Sequence, residues 1–368
     1  MPLHPLHLSH SVHHGDGGIA FAVADLMHAQ QELGIYSRWL SADRFEPLNR
    51  DQSFANAVLD TGATVLHCHG LWRTQTRVAK QFIKAGLPII VSPHGMMDQW
   101  AMAHSSWKKE IVWHLWEEEV LRSASCLHAL CHAEAEAIAR RLPGKPIALI
   151  PNGISSPDPL ILSKNLLPWT SDIPSDSRVL LFLGRFHQKK GLEPLMAAWQ
   201  SVIAEAKRLG WWLVFVGFGD DHKFENQLQS FPVDNCRAYG PVFDQQKIAC
   251  YQHSSAFILP SYSEGLPMAA LEAMSHGLPC FLSSACNLPE AFTANAASIA
   301  EPDSSQLALT LRCLFSRSEE ELTSMGMNGR CLTQQQFDWD HVARKSIEVY
   351  RWILGEAPRP PCIVGSTD

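Results

Sequence analysis

The chain has 368 residues, 46% of them hydrophobic, and a formal net charge of -7 at neutral pH. This length exceeds what one hydrophobic core normally serves, so two domains are expected. The acidic balance excludes a general nucleic-acid binder, because phosphate contacts need a basic surface. The chain shows no apolar run long enough to span a bilayer and no secretory signal, so we expect a cytoplasmic protein.

The first half alternates short apolar runs with amphipathic segments, which predicts a mostly parallel sheet flanked by helices. The predicted strands are 6–12, 65–69, 89–92 and 147–150, and the predicted helices include 19–33 and 106–122. Between the first strand and the first helix, the turn Gly15-Asp16-Gly17-Gly18 lets the backbone approach an anion at the helix N-terminus. An ordinary strand-to-helix turn explains these glycines equally well.

The helix predicted at 106–122 carries Trp107, Trp113 and Trp116. Core packing is favoured, because helices that lie in a membrane surface are usually basic and this one carries more acidic than basic residues. A wall of an acceptor site, or peripheral contact with the inner face of the membrane, are the alternatives.

The periodicity fades from 152 to 178, where prolines and small polar residues predict an inter-domain linker. Strands are then predicted at 179–183, 212–216, 256–259 and 279–283, so a second unit of the same kind follows. A terminal helix is predicted at 339–354, capped by Asp338 or Asp340, with a loose tail from Gly355.

No metal site is predicted. His4, His7, His10 and His13 recur every third residue, but on a strand and loop this spacing does not converge on one ion. The triplet Asp338-Trp339-Asp340 precedes a helix, and helix capping explains it better than metal binding. The cysteines form no Cys-x-x-Cys pair and are predicted to be reduced, mostly buried thiols.

A basic turn follows the strand predicted at 179–183. It reads Gly184-Arg185-Phe186-His187-Gln188-Lys189-Lys190-Gly191. Ligands of open α/β sheets bind at the carboxyl ends of strands, and a departing diphosphate needs cations beside a closely approaching backbone. A solvated basic turn is the alternative.

The most specific stretch is 256–274, in which a strand, a loop and a helix follow one another. Glu264 lies in the loop and Glu272 lies deeper in the helix, so the two carboxylates can reach different parts of one extended ligand. The amides around Gly265, Leu266 and Pro267 can hold phosphates at the start of the helix.

These motifs resemble the retaining glycosyltransferases of family 4, which have the GT-B fold of two facing Rossmann-like domains. The resemblance rests on elements that occur in the order of the family: Gly17-Gly18, His69-Gly70-Leu71-Trp72, His94-Gly95-Met96, Ile150-Pro151-Asn152-Gly153, Gly184-Arg185 with Lys190-Gly191, Gly217-x-Gly219, Tyr239-Gly240-Pro241-Val242, Glu264-x7-Glu272 and Gly277-Leu278-Pro279. It implies an N-terminal domain at 1–165 and a C-terminal, nucleotide-sugar-binding domain at 170–339. The segment 340–368 would return to the first domain.

The resemblance also implies roles for individual residues. Arg185 and Lys190 would bind the donor diphosphate, with Gly184 and Gly217 beside them. Glu272 would bind the ribose, and Val242 would border the base. The transferred sugar would meet Glu264 and the Gly265–Pro267 amides, with His94 near the reacting carbon. Gly17 and Gly18 would close over the diphosphate. Gly-Leu-Pro-Met replaces the commoner Gly-Phe-Gly after Glu264, and Pro267 cannot donate an N–H.

The function implied is metal-independent, retaining transfer of a hexose from a UDP- or GDP-linked sugar. The acceptor would be a hydroxyl of a glycan, a lipid-linked molecule or a small molecule, in surface polysaccharide or glycoconjugate synthesis. A non-catalytic nucleotide-sugar-binding or assembly subunit is the alternative. A nicotinamide oxidoreductase is disfavoured, because Gly217-x-Gly219 lacks the third glycine of the dinucleotide motif.

Overall fold

The computed structural model describes residues 2–12, 18–98, 106–157, 160, 162–219, 224 and 234–365. The chain divides into two compact units, one formed by Met1–Gly153 with Phe337–Asp368 and the other by Ile154–Gln336. Each unit contains one sheet of mostly parallel strands with helices around it, which confirms the predicted α/β class.

The first unit is built on a seven-stranded sheet in its described residues. Its strands are β1 Pro5–Ser9, β2 Arg38–Ser41, β3 Val65–His69, β4 Ile89–Ser92, β5 Cys126–Ala129, β6 Ile147–Leu149 and β13 Ile363–Val364. They lie in the order β13-β6-β5-β4-β3-β1-β2, and every pair is parallel except β13 with β6. The helices are Gly18–Glu32, Arg50–Leu59, Thr74–Lys84, Ser106–Val112, Glu118–Ser123, His132–Arg141 and Trp339–Ile353.

The terminal helix Trp339–Ile353 packs in the first unit, against the helix Gly18–Glu32. Its apolar side, with Val342, Ile347 and Tyr350, belongs to the same buried cluster as residues of β3 and β5. The Asp338 carboxylate caps it by accepting the N–H of Asp340 at 2.9 Å. The predicted return of the chain is therefore confirmed, and capping accounts for the Asp-x-Asp triplet.

The second unit has a six-stranded, all-parallel sheet in its described residues. Its strands are β7 Arg178–Leu183, β8 Trp211–Val216, β9 Cys236–Tyr239, β10 Ala256–Leu259, β11 Cys280–Leu282 and β12 Ala297–Ile299, in the order β12-β11-β10-β7-β8-β9. The helices are Leu192–Ser201, Ile203–Arg208, Asp244–Gln252, Met268–Ser275, Pro289–Thr293, Ser304–Ser316 and Glu319–Gln336. Aromatic side chains of the strands, such as Phe182, Phe215, Phe257 and Phe281, are fully buried, as expected for strands covered on both faces.

Two segments differ from the sequence expectation. The stretch predicted as a linker packs within the second unit, where Trp169 and Ile173 are buried and the Leu162 N–H donates to the Gln252 side chain at 2.8 Å. Over its described residues, 355–365, the tail is not loose, because Ile363 and Val364 extend the first sheet as β13. In both cases the burial of a few apolar side chains stabilises the segment, although the residues around them are mostly polar.

Candidate active site

The turn after β7 brings the carboxyl ends of β7 and β8 together. The Gly184 N–H donates to the Val216 carbonyl at 3.0 Å, and the Phe186 N–H donates to the Phe218 carbonyl at 2.7 Å. A Cβ on Gly217 would lie 1.9 Å from the Gly184 carbonyl oxygen, so a larger residue would force the strand ends apart. Two of the predicted donor-binding glycines, Gly184 and Gly217, thus lie in contact at the carboxyl ends of β7 and β8, where open α/β sheets bind ligands.

Arg185 lies in this turn and is exposed. Its guanidinium carbon is 5.8 Å from the centre of the Phe218 ring, a cation–π geometry. The turn therefore carries a cation at the strand ends, as the sequence predicted.

Lys190 and Glu264 form an ion pair at this edge. The Lys190 Nζ lies 2.6 Å from Glu264 Oε1, and the two side chains are only 17% and 7% exposed. The Ser261 hydroxyl donates to the same carboxylate oxygen at 2.5 Å. The sequence selected the two residues separately, and the structure brings them into direct contact.

Backbone contacts hold the Glu264 loop on both sides. The Tyr262 N–H donates to the Lys189 carbonyl at 2.7 Å, and the Asn287 side-chain amide donates to the Glu264 carbonyl at 2.6 Å. Gly191 has a φ of +68° and a Cβ there would lie 2.0 Å from the Pro260 carbonyl oxygen, so glycine is required. The basic turn and the glutamate loop are thereby fixed to each other.

Gly265, Leu266 and Pro267 lead from Glu264 into the helix Met268–Ser275, in which Pro267 is the N-cap residue. In the described part of the chain, no hydrogen bond is found from the N–H of Gly265 or Leu266. A Cβ on Gly265 would meet nothing within 4 Å. Two backbone donors are therefore available for an anion at a helix N-terminus.

Glu272 lies inside this helix and is not an isolated charge. Its Oε1 is 2.8 Å from the Lys247 ammonium, and its Oε2 accepts the Tyr251 hydroxyl at 2.8 Å. Burial, followed by the Glu272 charge, raises the pKa of Tyr251 well above its usual value. Both partners lie on the helix Asp244–Gln252, which begins just after the partly exposed Val242.

In the first unit, His94 lies in a turn after β4. His94 and Gly95 have φ values of +53° and +75°. The buried Glu134 carboxylate accepts the Gly95 N–H at 2.6 Å and the Leu130 N–H at 2.8 Å. Because these contacts fix the turn, the strained backbone of His94 is held in one conformation.

His94 is the outermost member of a histidine cluster that sequence reasoning missed. His94 Nε2 lies 2.9 Å from His69 Nδ1, and His69 Nε2 lies 3.0 Å from His7 Nδ1. His67 and His128 belong to the same buried cluster. Burial lowers the pKa of His7 and His128 to about 4 and that of His94 to about 3, so the imidazoles are neutral at physiological pH.

Ligand atoms of His7, His67 and His69 lie within 4.8 Å of one another, which is close enough for a metal ion. Every ring nitrogen of these three residues already lies within hydrogen-bond distance of a partner, however. A metal ion would have to displace several buried hydrogen bonds, so the cluster is better explained as a polar network.

A cavity of about 520 Å³ opens beside the cluster in the first unit. It is lined by the predicted His69-Gly70-Leu71-Trp72 motif together with Arg73 and Lys109. The Glu117 carboxylate, fully buried, accepts the Trp72 N–H and the Thr76 hydroxyl, each at 3.0 Å. Sequence reasoning missed Glu117, although an acidic residue within a tryptophan-rich apolar run was a usable signal.

Two expectations concern the edges of this cavity. Gly18 begins the helix Gly18–Glu32, while Gly17 lies outside the described residues. Of the tryptophan-rich segment, Trp113 is buried, and Trp107, Ile111 and Leu115 are exposed. Core packing therefore accounts for one side of this segment and leaves an apolar stripe on the other. Among the described residues, no helix is both long and apolar enough to cross a membrane.

Both halves of the chain match families of known proteins. Residues 163–331 match the family described as "Glycosyl transferases group 1", and residues 22–153 match the "Glycosyl transferase 4-like domain". Among curated proteins, the chain is 25% identical over 196 residues to the O-antigen chain mannosyltransferase B of Escherichia coli. That alignment covers 52% of this chain and 49% of the relative, so the chain spans about half the length of that protein.

Solved structures share the whole fold. Sucrose-phosphate synthase from Thermosynechococcus elongatus superposes with a TM-score of 0.76 at 20% identity, over 96% of this chain and 100% of that one. HepE of Anabaena, solved in complex with UDP and glucose, superposes with a TM-score of 0.67 at 15% identity, over 94% of this chain and 99% of that one. With both halves matched by glycosyltransferase families, the chain belongs to the group 1 glycosyltransferases of the family 4 type.

Proposed function

We propose that this glycosyltransferase moves a hexose from a UDP- or GDP-linked donor to a hydroxyl of a glycan, lipid-linked or small-molecule acceptor, with retention of anomeric configuration. The observation that carries the proposal is the fixed contact between the basic turn and the glutamate loop. Lys190 and Glu264 meet there, beside the available amides of Gly265 and Leu266.

The second unit supplies the chemistry that a departing diphosphate requires. Negative charge grows on the diphosphate as its bond to the sugar breaks, and preorganised cations and N–H groups stabilise that charge. Arg185 and Lys190 would provide the cations, and the N-terminus of the helix Met268–Ser275 would provide the amides. We infer that these groups take the place of a divalent metal.

Glu272 is proposed to accept hydrogen bonds from the ribose hydroxyls. Lys247 and Tyr251 hold its carboxylate by two 2.8 Å contacts, so the side chain is oriented before the nucleotide arrives. A carboxylate already fixed in place loses little rotamer entropy on binding, which favours affinity. The neighbouring Val242 would border the base.

Retention is inferred from the family resemblance. In the proposed route, the diphosphate leaves from one face of the sugar, and its oxygen takes the proton of an acceptor hydroxyl that lies on the same face. The acceptor oxygen then bonds to the oxocarbenium-like anomeric carbon from that face. His94 would pack or hydrogen-bond near this carbon without forming a covalent bond.

The acceptor class is proposed from the relatives and the cavity of the first unit. The Escherichia coli relative is named as an O-antigen chain mannosyltransferase, which suggests a polysaccharide or glycoconjugate product for this chain as well. The cavity of about 520 Å³ has room for a sugar unit, and Arg73 and Lys109 in its lining would suit an acceptor that carries an anionic group.

A donor panel tests the proposal. Thermal shift with UDP-glucose, UDP-galactose, UDP-N-acetylglucosamine and GDP-mannose should identify the donor, since binding to the folded state raises the melting temperature. Transfer is then assayed with EDTA present, and the linkage is assigned by NMR from the anomeric coupling. Activity lost in EDTA and restored by magnesium would refute the metal-free proposal, and an inverted product would refute retention.

A further inference from the structure

The histidine cluster of the first unit is part of a longer chain of hydrogen bonds that ends at two backbone carbonyls. From one end, His128 Nε2 lies 2.7 Å from the Ile150 carbonyl, and His128 Nδ1 lies 3.2 Å from His67 Nε2. His67 Nδ1 lies 2.8 Å from the Tyr350 hydroxyl. The Tyr350 hydroxyl in turn accepts an N–H of the Gln30 amide at 3.2 Å.

The Gln30 amide connects these hydrogen bonds to those that lead to His94. Its Nε2 also donates to the Ser346 hydroxyl at 2.9 Å, and Ser346 donates its own proton to the Ala343 carbonyl at 2.7 Å. Since Ser346 can then only accept, the NH2 group of Gln30 must face it. Gln30 Oε1 must therefore face His7 Nε2, which lies 2.9 Å away.

These two anchors determine the direction of every link. A carbonyl oxygen can only accept, and a neutral imidazole has one N–H and one lone pair. His128 must therefore donate to Ile150 through Nε2, His67 must donate to His128, and Tyr350 must donate to His67. On the other side His7 donates to Gln30, His69 donates to His7, and His94 Nε2 donates to His69 Nδ1.

We propose that this buried chain fixes His94 in the Nε2–H tautomer, so that His94 Nδ1 carries a lone pair for a hydroxyl of the bound sugar. Gln30, His69 and Ser346 act as positioning residues in this arrangement. No hydrogen bond to His94 Nδ1 is found among the described residues. Ser346 belongs to the terminal helix Trp339–Ile353, so the returning segment of the polypeptide contributes to the tautomer of His94.

The reversed chain is disfavoured for a physical reason. It would place a lone pair of His7 Nε2 against the lone pairs of Gln30 Oε1, which leaves two buried acceptors without a donor. Burial lowers the pKa of His67 and His69 well below the usual value, so added protons do not relieve this conflict at neutral pH. We expect the Nδ1–H form of His94 to stay below about a tenth of the population.

The tautomer of His94 does not depend on the proposed function. Only the identification of a sugar hydroxyl as the partner of His94 Nδ1 rests on it. NMR of the deuterated full-length chain with 15N-labelled histidine tests the tautomer without substrate. The expected result is N–N coupling across the hydrogen bonds His94–His69, His69–His7 and His67–His128, with the proton on Nε2 in each donor. His94→Gln assigns the His94 signals. A proton on His94 Nδ1, or no coupling between His94 and His69, would overturn the proposal.

Three variants test whether the chain of buried hydrogen bonds sets the tautomer of His94. Gln30→Met removes the anchor, so the two His94 nitrogen shifts should move toward each other as both tautomers become populated. Tyr350→Phe leaves the Gln30 anchor on Ser346, so it should change the His67 signals and leave those of His94 as they are. Val23→Ala, on the helix of Gln30, is the control for lost stability, because Val23 is buried and apolar. Two results would refute the proposal that the hydrogen bonds set the tautomer. One is that the His94 nitrogen shifts of Gln30→Met are the same as in wild type, and the other is that the His94 shifts change in Tyr350→Phe. If Gln30→Met does not fold, the proton positions and N–N couplings of the wild-type protein decide.

Discussion

Glu117 makes stability depend on pH in a way that one substitution can expose. The residue is fully buried, and burial raises the pKa of its carboxyl from 4.5 to about 7, against the opposing effect of hydrogen bonds from Trp72 and Thr76. A carboxyl whose folded pKa is raised binds its proton more tightly in the folded state. Its contribution to stability is therefore fully present below pH 4.5 and is lost as the pH rises through about 7.

The magnitude follows from the two pKa values. Between pH 5 and pH 8, linkage gives a loss of about 2–3 kcal/mol in the free energy of unfolding from this one carboxyl. In Glu117→Gln no proton is released, so that loss should vanish. Relative to wild type, the variant should therefore gain about 2–3 kcal/mol of stability between pH 5 and pH 8, which is roughly 5–10 °C in melting temperature for a unit of this size.

Thermal unfolding of both proteins at pH 5 and pH 8, followed by tryptophan fluorescence, measures this difference. Glu118→Gln is the matched control, because Glu118 is the next residue and its pKa is lowered by its hydrogen bond with Arg122. That carboxyl stays ionised across the range, so the control should show no pH-dependent gain. If Glu117→Gln and wild type keep the same difference at both pH values, the Glu117 carboxyl is not protonated in the folded state and the reasoning fails.

Two further predictions concern turnover and binding. Arg185→Ala should lower turnover by about two orders of magnitude, because one donor to a developing negative charge is worth ~3 kcal/mol. The control is Lys207→Ala, which removes an exposed cation of the same unit that pairs with Asp234 and should leave turnover unchanged. Equal turnover in the two variants would show that Arg185 takes no part in the reaction. Glu272→Ala should chiefly weaken binding of the nucleoside diphosphate, whereas Glu264→Ala should chiefly lower kcat, since a ribose contact is made in ground and transition states alike. Calorimetric titration of the diphosphate checks this, and a larger loss of affinity in Glu264→Ala would show that the roles are reversed.

Three strands inside the sheets could be predicted to the residue. Val65–His69, Ile89–Ser92 and Ala256–Leu259 are buried along their whole length, and a polar residue, proline or glycine follows each. Burial along the whole strand is typical of parallel strands covered on both faces. The two-residue strand β13 could not be predicted, because its conformation depends on pairing with β6, far away in the sequence.

The candidate site was predictable residue by residue, but its contacts were not. Motif spacing selected Lys190 and Glu264, which are 74 residues apart, and only the folded loops bring them to 2.6 Å. The histidine network carried a fainter signal. His67 and His69 alternate along one strand, and His7 pairs with His67 on the next strand, so all three point to one face. Recognising this requires the strand register, which the sequence alone does not contain.

The Lys190–Glu264 pair gives the last prediction, a test by double-mutant cycle. Removing one partner of a largely buried ion pair leaves an uncompensated charge, so Lys190→Met and Glu264→Gln should each cost on the order of 2 kcal/mol of stability. The double variant buries no unpaired charge and should cost less than the sum, with a coupling of about 1 kcal/mol or more. Chemical denaturation of the four proteins measures the cycle, and costs that add within ~0.5 kcal/mol would show that the charges are not coupled.

A coupled pair has a consequence for the proposed reaction. Glu264 holds the Lys190 ammonium in place before the donor binds, and the donor diphosphate must then compete with Glu264 for that ammonium.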